Sequence, residues 1–289
     1  MSRILGIGIA TLDIINSVDG YPAEDAEVRT LRQQLRRGGN CTNTLVVLSQ
    51  LGHRCAWGGV LAAEPDSEHI RADLARHRID LGAVRTLERG KVPTSYITLN
   101  QRNGSRTIVH YRDLPEFGAE DFAHIDLGDF DWLHFEGRNV AATRRMLQHA
   151  AEAVPAIPRS VEIEKPRADI EQLFPHADVL LFSRHFAHAR GYHDPQRFLA
   201  DIVRETPAVT RVLAWGEAGA YAVDRSGRPL HSPAYPPPQL IDTLGAGDTF
   251  NAGIIDALLR GGGLDAALHH ACQLAGRKCG HEGLDFVTP

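Results

Sequence analysis

The run "DTLGAGDTFNAG", Asp242 to Gly253, sets a single carboxylate, Asp248, among small residues just where a helical pattern begins. Gly245 and Gly247 allow positive φ and close approach of the backbone to a ligand. A helix starting near Asp248 offers unpaired N–H groups and a positive dipole end, together an anion site. Two roles are open to Asp248. It can cap the helix, or it can take the proton from a substrate hydroxyl that attacks a phosphorus held by the glycine loop. A carboxylate has two oxygens, so the roles can coexist.

Three further stretches carry polar groups suited to such a reaction. In "RRGGNCTN" the paired glycines precede a helix. Asn40 and Asn43 lie on one helical face, offering donors and acceptors to polyol hydroxyls. Equally, Asn40 can cap that helix and Asn43 can be a solvated residue. Asp13 lies just past the first strand, at the carboxyl end where α/β sheets bind ligands. Arg106 in "GSRTIVHYR" sits on an arm of a hairpin, as a solubilising edge charge or as a partner for phosphate oxygens. "AWGEAGA" places Gly216 and Gly219 in a turn after a strand, either plain or lining a nucleotide.

The elements that must position these residues follow a clear rhythm. "RILGIGIATLDII" reads as a buried apolar strand. Its Gly6 and Gly8 begin a dinucleotide fingerprint that fails at Thr11, so a nicotinamide dehydrogenase is disfavoured. A helix runs from Asn40 near its N-cap to Gly52 just past its end. Period-two runs flank Asn103-Gly104, a hairpin signal. With the extended "AEVRTLRQQLRRG" they make a small β-layer. After Asp131 the strands "WLHFEG", "SVEIEK", "DVLLFS" and "RVLAWG" alternate with helices, which argues for a mostly parallel sheet covered on both faces. The helices "DTFNAGIIDALLRGG" and "DAALHHACQLAGRKCG" follow. The reading is one α/β domain, residues 1–289, with a β-rich flap drawn from about 12–37 and 92–113.

Composition narrows the class. The 289 residues carry 31 Lys+Arg and 36 Asp+Glu, a formal charge of −5, without the positive field that nucleic-acid binding needs. No stretch reads as a membrane span or a cleaved leader. Cys41, Cys55, Cys272 and Cys279 form no CxxC pair and read as free thiols of a reducing cytoplasm. His185 and His188 share a possible helical face. They read as solvated, since no third ligand has metal-like spacing.

"DTLGAGDTFNAG" resembles the C-terminal motif of the ribokinase-like carbohydrate kinases, and "RGGNCTN" their glycine–asparagine segment. The chain is most similar to the fructokinase branch that phosphorylates a ketohexose at its 1-hydroxyl. That likeness is carried in order by "VDGYPAED", "RGGNCTNT", "GSRTI", "HFEGRN", "VEIEKPR", "FSRHFA", "PPPQLIDTLGAGDTFNA" and "CQLAGRKCG".

The resemblance implies a three-layer ribokinase-like fold with a mostly parallel central sheet and a small β-sheet lid. It also implies ATP-dependent phosphorylation of a ketose, D-fructose first, with Mg²⁺ and with K⁺ as an activator common among relatives. Asp248 would be the base, and Gly245, Ala246 and Gly247 the anion hole. Asp13, Gly39, Asn40 and Asn43 would hold the sugar, and Arg106 would meet ATP phosphates. Gly216, Glu217, Ala218 and Gly219 would line the nucleotide, and Asp242 would brace the loop. The lid would pair with that of a second copy in a homodimer. The superfamily's NxxE motif is replaced by Ser183-Arg184-His185-Phe186, so Mg²⁺ is assigned no protein ligand. Kinases for another sugar, an acidic sugar or a nucleoside are the alternatives within the family. A sugar sensor is the alternative outside it, though it would have no need of Asp248.

Overall fold

The computed structural model describes residues 1–207 and 209–287. The first half runs β1 (Arg3–Ile7), β2 (Thr11–Val18), β3 (Arg32–Gly38), α1 (Asn40–Gln50), β4 (Arg54–Gly58), β5 (Val60–Ala62) and α2 (Pro65–Arg76). It continues through β6 (Arg85–Leu87), β7 (Thr94–Asn100), β8 (Arg106–Tyr111) and α3 (Ala119–Phe122). The second half runs β9 (Trp132–Glu136), α4 (Val140–Ala153), β10 (Arg159–Ile163), β11 (Val179–Ser183), α5 (Arg184–Ala189) and α6 (Pro195–Ile202). The remaining elements are β12 (Thr210–Ala214), β13 (Ala220–Val223), β14 (Pro229–Ser232), α7 (Ala246–Leu259) and α8 (Leu264–Cys279).

Eight strands form the central sheet in the order β14-β13-β12-β11-β10-β9-β1-β4. Pairings from β12 through to β4 are parallel, and the two at the other edge, β12–β13 and β13–β14, are antiparallel. β9 is buried at every position and β1 and β10 at all but their first. Successive strand residues point to opposite faces, so an unbroken buried run requires cover on both faces. The sheet is the middle of three layers. Trp57, Phe135, Phe174, Phe186 and Phe198 fill the core. Among the described residues, no helix is long and apolar enough to cross a membrane, and the four cysteines are free thiols.

A second sheet, β3-β2-β7-β8, forms the lid. β7 and β8 are the two arms read from the sequence, joined through Asn103 and Gly104. One row across this sheet is Arg36, Asp13, Ser95 and His110, all lining the cleft described below. The next row, on the opposite parity, is Leu35, Ile14, Tyr96 and Val109.

The first apolar run is not one strand. It divides near Gly8, where the Gly8 amide donates to Gly58 O and the Ile9 amide to a Glu136 carboxylate oxygen. β1 stays in the central sheet and β2 leaves it for the lid. Asp13 is therefore the third residue of a lid strand and not the carboxyl end of a parallel strand. The two halves have the same apolar β-forming composition, and only pairing partners far along the chain separate them.

Candidate active site

A cleft of about 1270 Å³ lies between the lid and the carboxyl ends of the central strands. It collects Asp13, Gly39, Asn40, Asn43, Arg106, Gly216, Gly245, Gly247 and Asp248 along its walls. Ala246, Glu217, Ala218 and Gly219 do not line it; Ala246 lies between Gly245 and Gly247, and Glu217 follows Gly216, but Ala218 and Gly219 lie one and two positions further off.

Asp248 is the third residue of α7, whose N-cap is Gly245 in the left-handed region at φ 80°. The carboxylate makes no capping bond, which corrects the first of the two roles considered for it. Oδ2 instead accepts from Asn43 Nδ2 at 2.7 Å, and Oδ1 has no partner among the described residues. Burial pushes this carboxyl up to about 7. The Asn43 bond pulls the other way, and Glu164 and Glu136 add to the rise. A base poised near neutrality, with one oxygen open to the cleft, suits proton abstraction.

The loop before Asp248 meets the needs of an anion only in part as the sequence reading had it. Gly247 is helical, not at positive φ, and a Cβ there would meet nothing within 4 Å. Its lack of a side chain leaves room facing the cleft. The Ala246 amide leans on Thr243 O at 3.3 Å, whereas the Gly247 and Asp248 amides have no acceptor among the described residues. Asp242 accepts from the Leu244 amide at 2.9 Å, the Gly283 amide at 3.0 Å and Arg36 at 3.2 Å. Lys278, fully buried, donates to Asp242 O at 2.7 Å. Burial works to raise the Asp242 carboxyl, but the two amides and Lys278 outweigh it and hold it low. This aspartate ties the loop to the lid strand β3 and to the end of α8.

Around the base, Asn43 is buried and not solvated. Arg37 donates to its Oδ1 at 2.7 Å, which aims its amide nitrogen at Asp248. Asn40 is the first residue of α1 and Gly39 is the N-cap, so the capping role given to Asn40 is also corrected. Asn40 donates to Glu162 Oε1 at 3.1 Å, as does Asn251 at 3.1 Å. Asp13 is buried and accepts from Thr11 Oγ1 at 2.9 Å. Burial raises its carboxyl against the hydrogen bonds of Thr11 and Ser95.

Toward the other end of the cleft, Gly216 opens a 3-10 turn, and Glu217 pairs with Arg184 at 3.0 Å. Ser183 caps α5 by accepting from the Phe186 amide at 3.0 Å. His188 lies edge-on against Trp215, ring centroids 5.2 Å apart.

Sequence reasoning missed Glu136, Arg138, Glu162 and Asn251. Glu162 is buried with Oε2 unpartnered. Burial, then the nearby Asp248, pushes its carboxyl well up. A usable signal was present: "VEIEK" places a glutamate inside a strand with buried neighbours on both sides. Eight Lys or Arg side chains line the cleft, and six of them pair with carboxylates. Arg36 pairs with Asp242, Arg37 and Arg76 with Asp73, Arg138 with Glu116 and Glu136, Lys165 with Glu164, and Arg184 with Glu217. Among the described residues, Arg106 and Arg167 have no such partner.

Free amides at a helix start, a buried carboxylate beside them and a lidded polar pocket at the strand ends are the features a phosphotransferase of the ribokinase-like class would use. The fold agrees. Ribokinase from Arabidopsis thaliana, solved with ribose and ATP, superposes with a TM-score of 0.81 at 16% identity, over 98% of this chain and 94% of that one. Residues 1–289 match the pfkB family carbohydrate kinases, and the chain belongs to that family. It is 43% identical to the ketohexokinase of Mus musculus over 294 aligned residues, covering 99% of each chain. It is 25% identical to the ATP-dependent ribose-1-phosphate kinase of Halopiger xanaduensis, over 98% of this chain and 94% of that one.

Proposed function

We propose that this sugar kinase transfers the γ-phosphoryl group of ATP to the 1-hydroxyl of a ketose, D-fructose being the first candidate. The observation that carries the reading is the open Oδ1 of Asp248 beside the free Gly247 and Asp248 amides, in a protein 43% identical to a ketohexokinase. Asp13, Asn40, Asn43 and the Gly39 backbone hold the sugar hydroxyls, and Asp248 accepts the proton of the attacking one. The free amides and helix end receive phosphate oxygens. Arg106, on the lid, neutralises ATP phosphates, and the turn at Gly216 to Gly219 borders the nucleotide. A lid that excludes water keeps ATP from hydrolysis.

Among the described residues no three His, Cys, Asp or Glu side chains are grouped to hold a metal ion. Mg²⁺ is read as entering with the oxygens of ATP. K⁺ remains part of the proposal only as an activator. The test is ADP release over a panel of ketoses, aldoses and nucleosides. Turnover confined to nucleosides or aldoses rejects the ketose assignment.

The base sets the pH dependence. Because burial raises the Asp248 carboxyl, protonation removes the base as pH falls through about 7. We expect kcat/KM on the sugar to drop roughly tenfold per unit below that point. A profile flat from about pH 5.5 to 8 contradicts the assignment.

The lid also proposes the quaternary state. Leu35 is 49% exposed, Tyr96 47% and Val109 66%, aligned in register with half-buried Ile14 across four strands. An apolar row of this kind on a sheet face is expected to meet its equal on a second copy. Sedimentation of the wild type as a dimer, and of Tyr96→Glu/Val109→Glu as a monomer, is the expected result. A monomeric wild type refutes it.

A further inference from the structure

Arg167 stands out from the other cations of the cleft. It follows β10, which lies in the central sheet between β9 and β11. Its strand end therefore falls between Glu136 and Arg138, on the sugar side, and Ser183 and Arg184, on the nucleotide side. The guanidinium is half-buried, lines the cleft, and neither pairs with a carboxylate nor donates a hydrogen bond among the described residues. Burial and the neighbouring Arg138 both act against its charge, with Glu116, Glu136 and Glu164 offsetting them in part. A guanidinium kept charged and unpaired in a partly desolvated wall costs free energy that an incoming anion recovers. Arg106, the other unpaired cation, is exposed on the lid strand β8. Arg167 stands in the segment that leaves β10 of the central sheet, four residues past its end.

We infer that Arg167 is a second phosphoryl-binding residue, contacting the γ-phosphate oxygens of the nucleoside triphosphate from the sheet side of the cleft during transfer. The inference rests on the kinase reading above. In the step, the sugar oxygen forms its bond to phosphorus as the bond from the γ-phosphorus to the bridging oxygen breaks. ADP leaves with that electron pair, the hydroxyl proton goes to Asp248, and Arg167 contributes charge and hydrogen bonds only. Because it follows the strand between the sugar side and the nucleotide side, the guanidinium serves the transferred phosphoryl and not the ADP portion.

Calorimetric titration of the full chain with the non-hydrolysable triphosphate AMP-PNP and with ADP separates these, in wild type, Arg167→Met and Arg167→Lys. We expect Arg167→Met to weaken AMP-PNP binding by about tenfold and kcat by about 100-fold, with ADP affinity within about twofold. Arg167→Lys should restore part of both losses. Unchanged AMP-PNP binding, or an equal loss for AMP-PNP and ADP, overturns the inference. If Arg167→Met melts well below wild type, Arg167→Gln replaces it in the same comparison. A wild type that binds AMP-PNP more tightly than Arg167→Met yet phosphorylates no sugar refutes the kinase reading and leaves the phosphate contact standing.

Discussion

Asp248→Asn is expected to lower kcat on the best ketose by about 10³-fold or more while leaving the sugar affinity within a few-fold of wild type. The amide preserves the shape of the carboxylate. With its carbonyl oxygen toward Asn43 the amide keeps that hydrogen bond, the position of Asn43 being fixed by Arg37. What it removes is, among the described residues, the one proton acceptor open to the cleft at the helix start, Oδ1 of Asp248. The variant should also be at least as stable as wild type at pH 8, and the sign follows from the raised carboxyl. An acid held above its unfolded value favours the protonated form in the folded state. Its ionisation therefore takes stability away as pH rises from about 4 to the folded value near 7. An uncharged residue escapes that loss. Stopped-flow or steady-state ADP release, with thermal melts at pH 5 and 8, measures both effects. Full activity in the Asn variant would sink the mechanism, and a variant that melts below wild type only at pH 8 would sink the electrostatic account.

Gly39→Ala should be the most damaging single methyl group in the wall of the cleft. Gly39 caps α1 at φ 104° and ψ 124°, a region nearly closed to residues with a side chain. An added Cβ would fall 2.2 Å from Ile9 O and 2.9 Å from Ala10 Cα. Both are backbone atoms of the segment linking β1 to the lid, so no side-chain rotation relieves the clash. Backbone strain and overpacking together predict a loss of about 2–5 kcal/mol and a melting temperature lower by roughly 5–15 °C. Relief can come only by moving Asn40 away from Glu162, or Ile9 away from Glu136. KM for the sugar should then rise along with the fall in stability. Denaturant unfolding and steady-state kinetics on the same preparation check the pair. A wild-type melting curve would show that Gly39 is not packed as described.

The site was legible wherever its chemistry is written in neighbouring residues. Gly245 to Asp248 announced a glycine turn into a helix with a carboxylate in its first turn. Gly38 to Asn43 announced a tight approach into a helix, and Asn103-Gly104 a hairpin that reaches the cleft with Arg106. The strand–helix rhythm after Asp131 gave the parallel sheet. Less legible were groups whose meaning depends on distant partners. Glu162 meets Asn40, 122 positions earlier, and Asn251, 89 later. Lys278 is a helix-end lysine of ordinary appearance until the fold closes it over Asp242. Arg167 sits in a charged run, and its lack of a partner is a property of the assembled cleft.

The sequence by itself determined the glycine loop before α7, the onset of α7 and the hairpin of the lid, because backbone preference and helix-end polarity are set by adjacent residues. Only the tertiary structure decided that the first apolar run parts at Gly8 and that Asp13 belongs to the lid. It also decided that Asp248 serves no cap and that its carboxyl is raised by burial. Strand partnership and desolvation are sums over atoms brought from far along the chain, and no short stretch contains them.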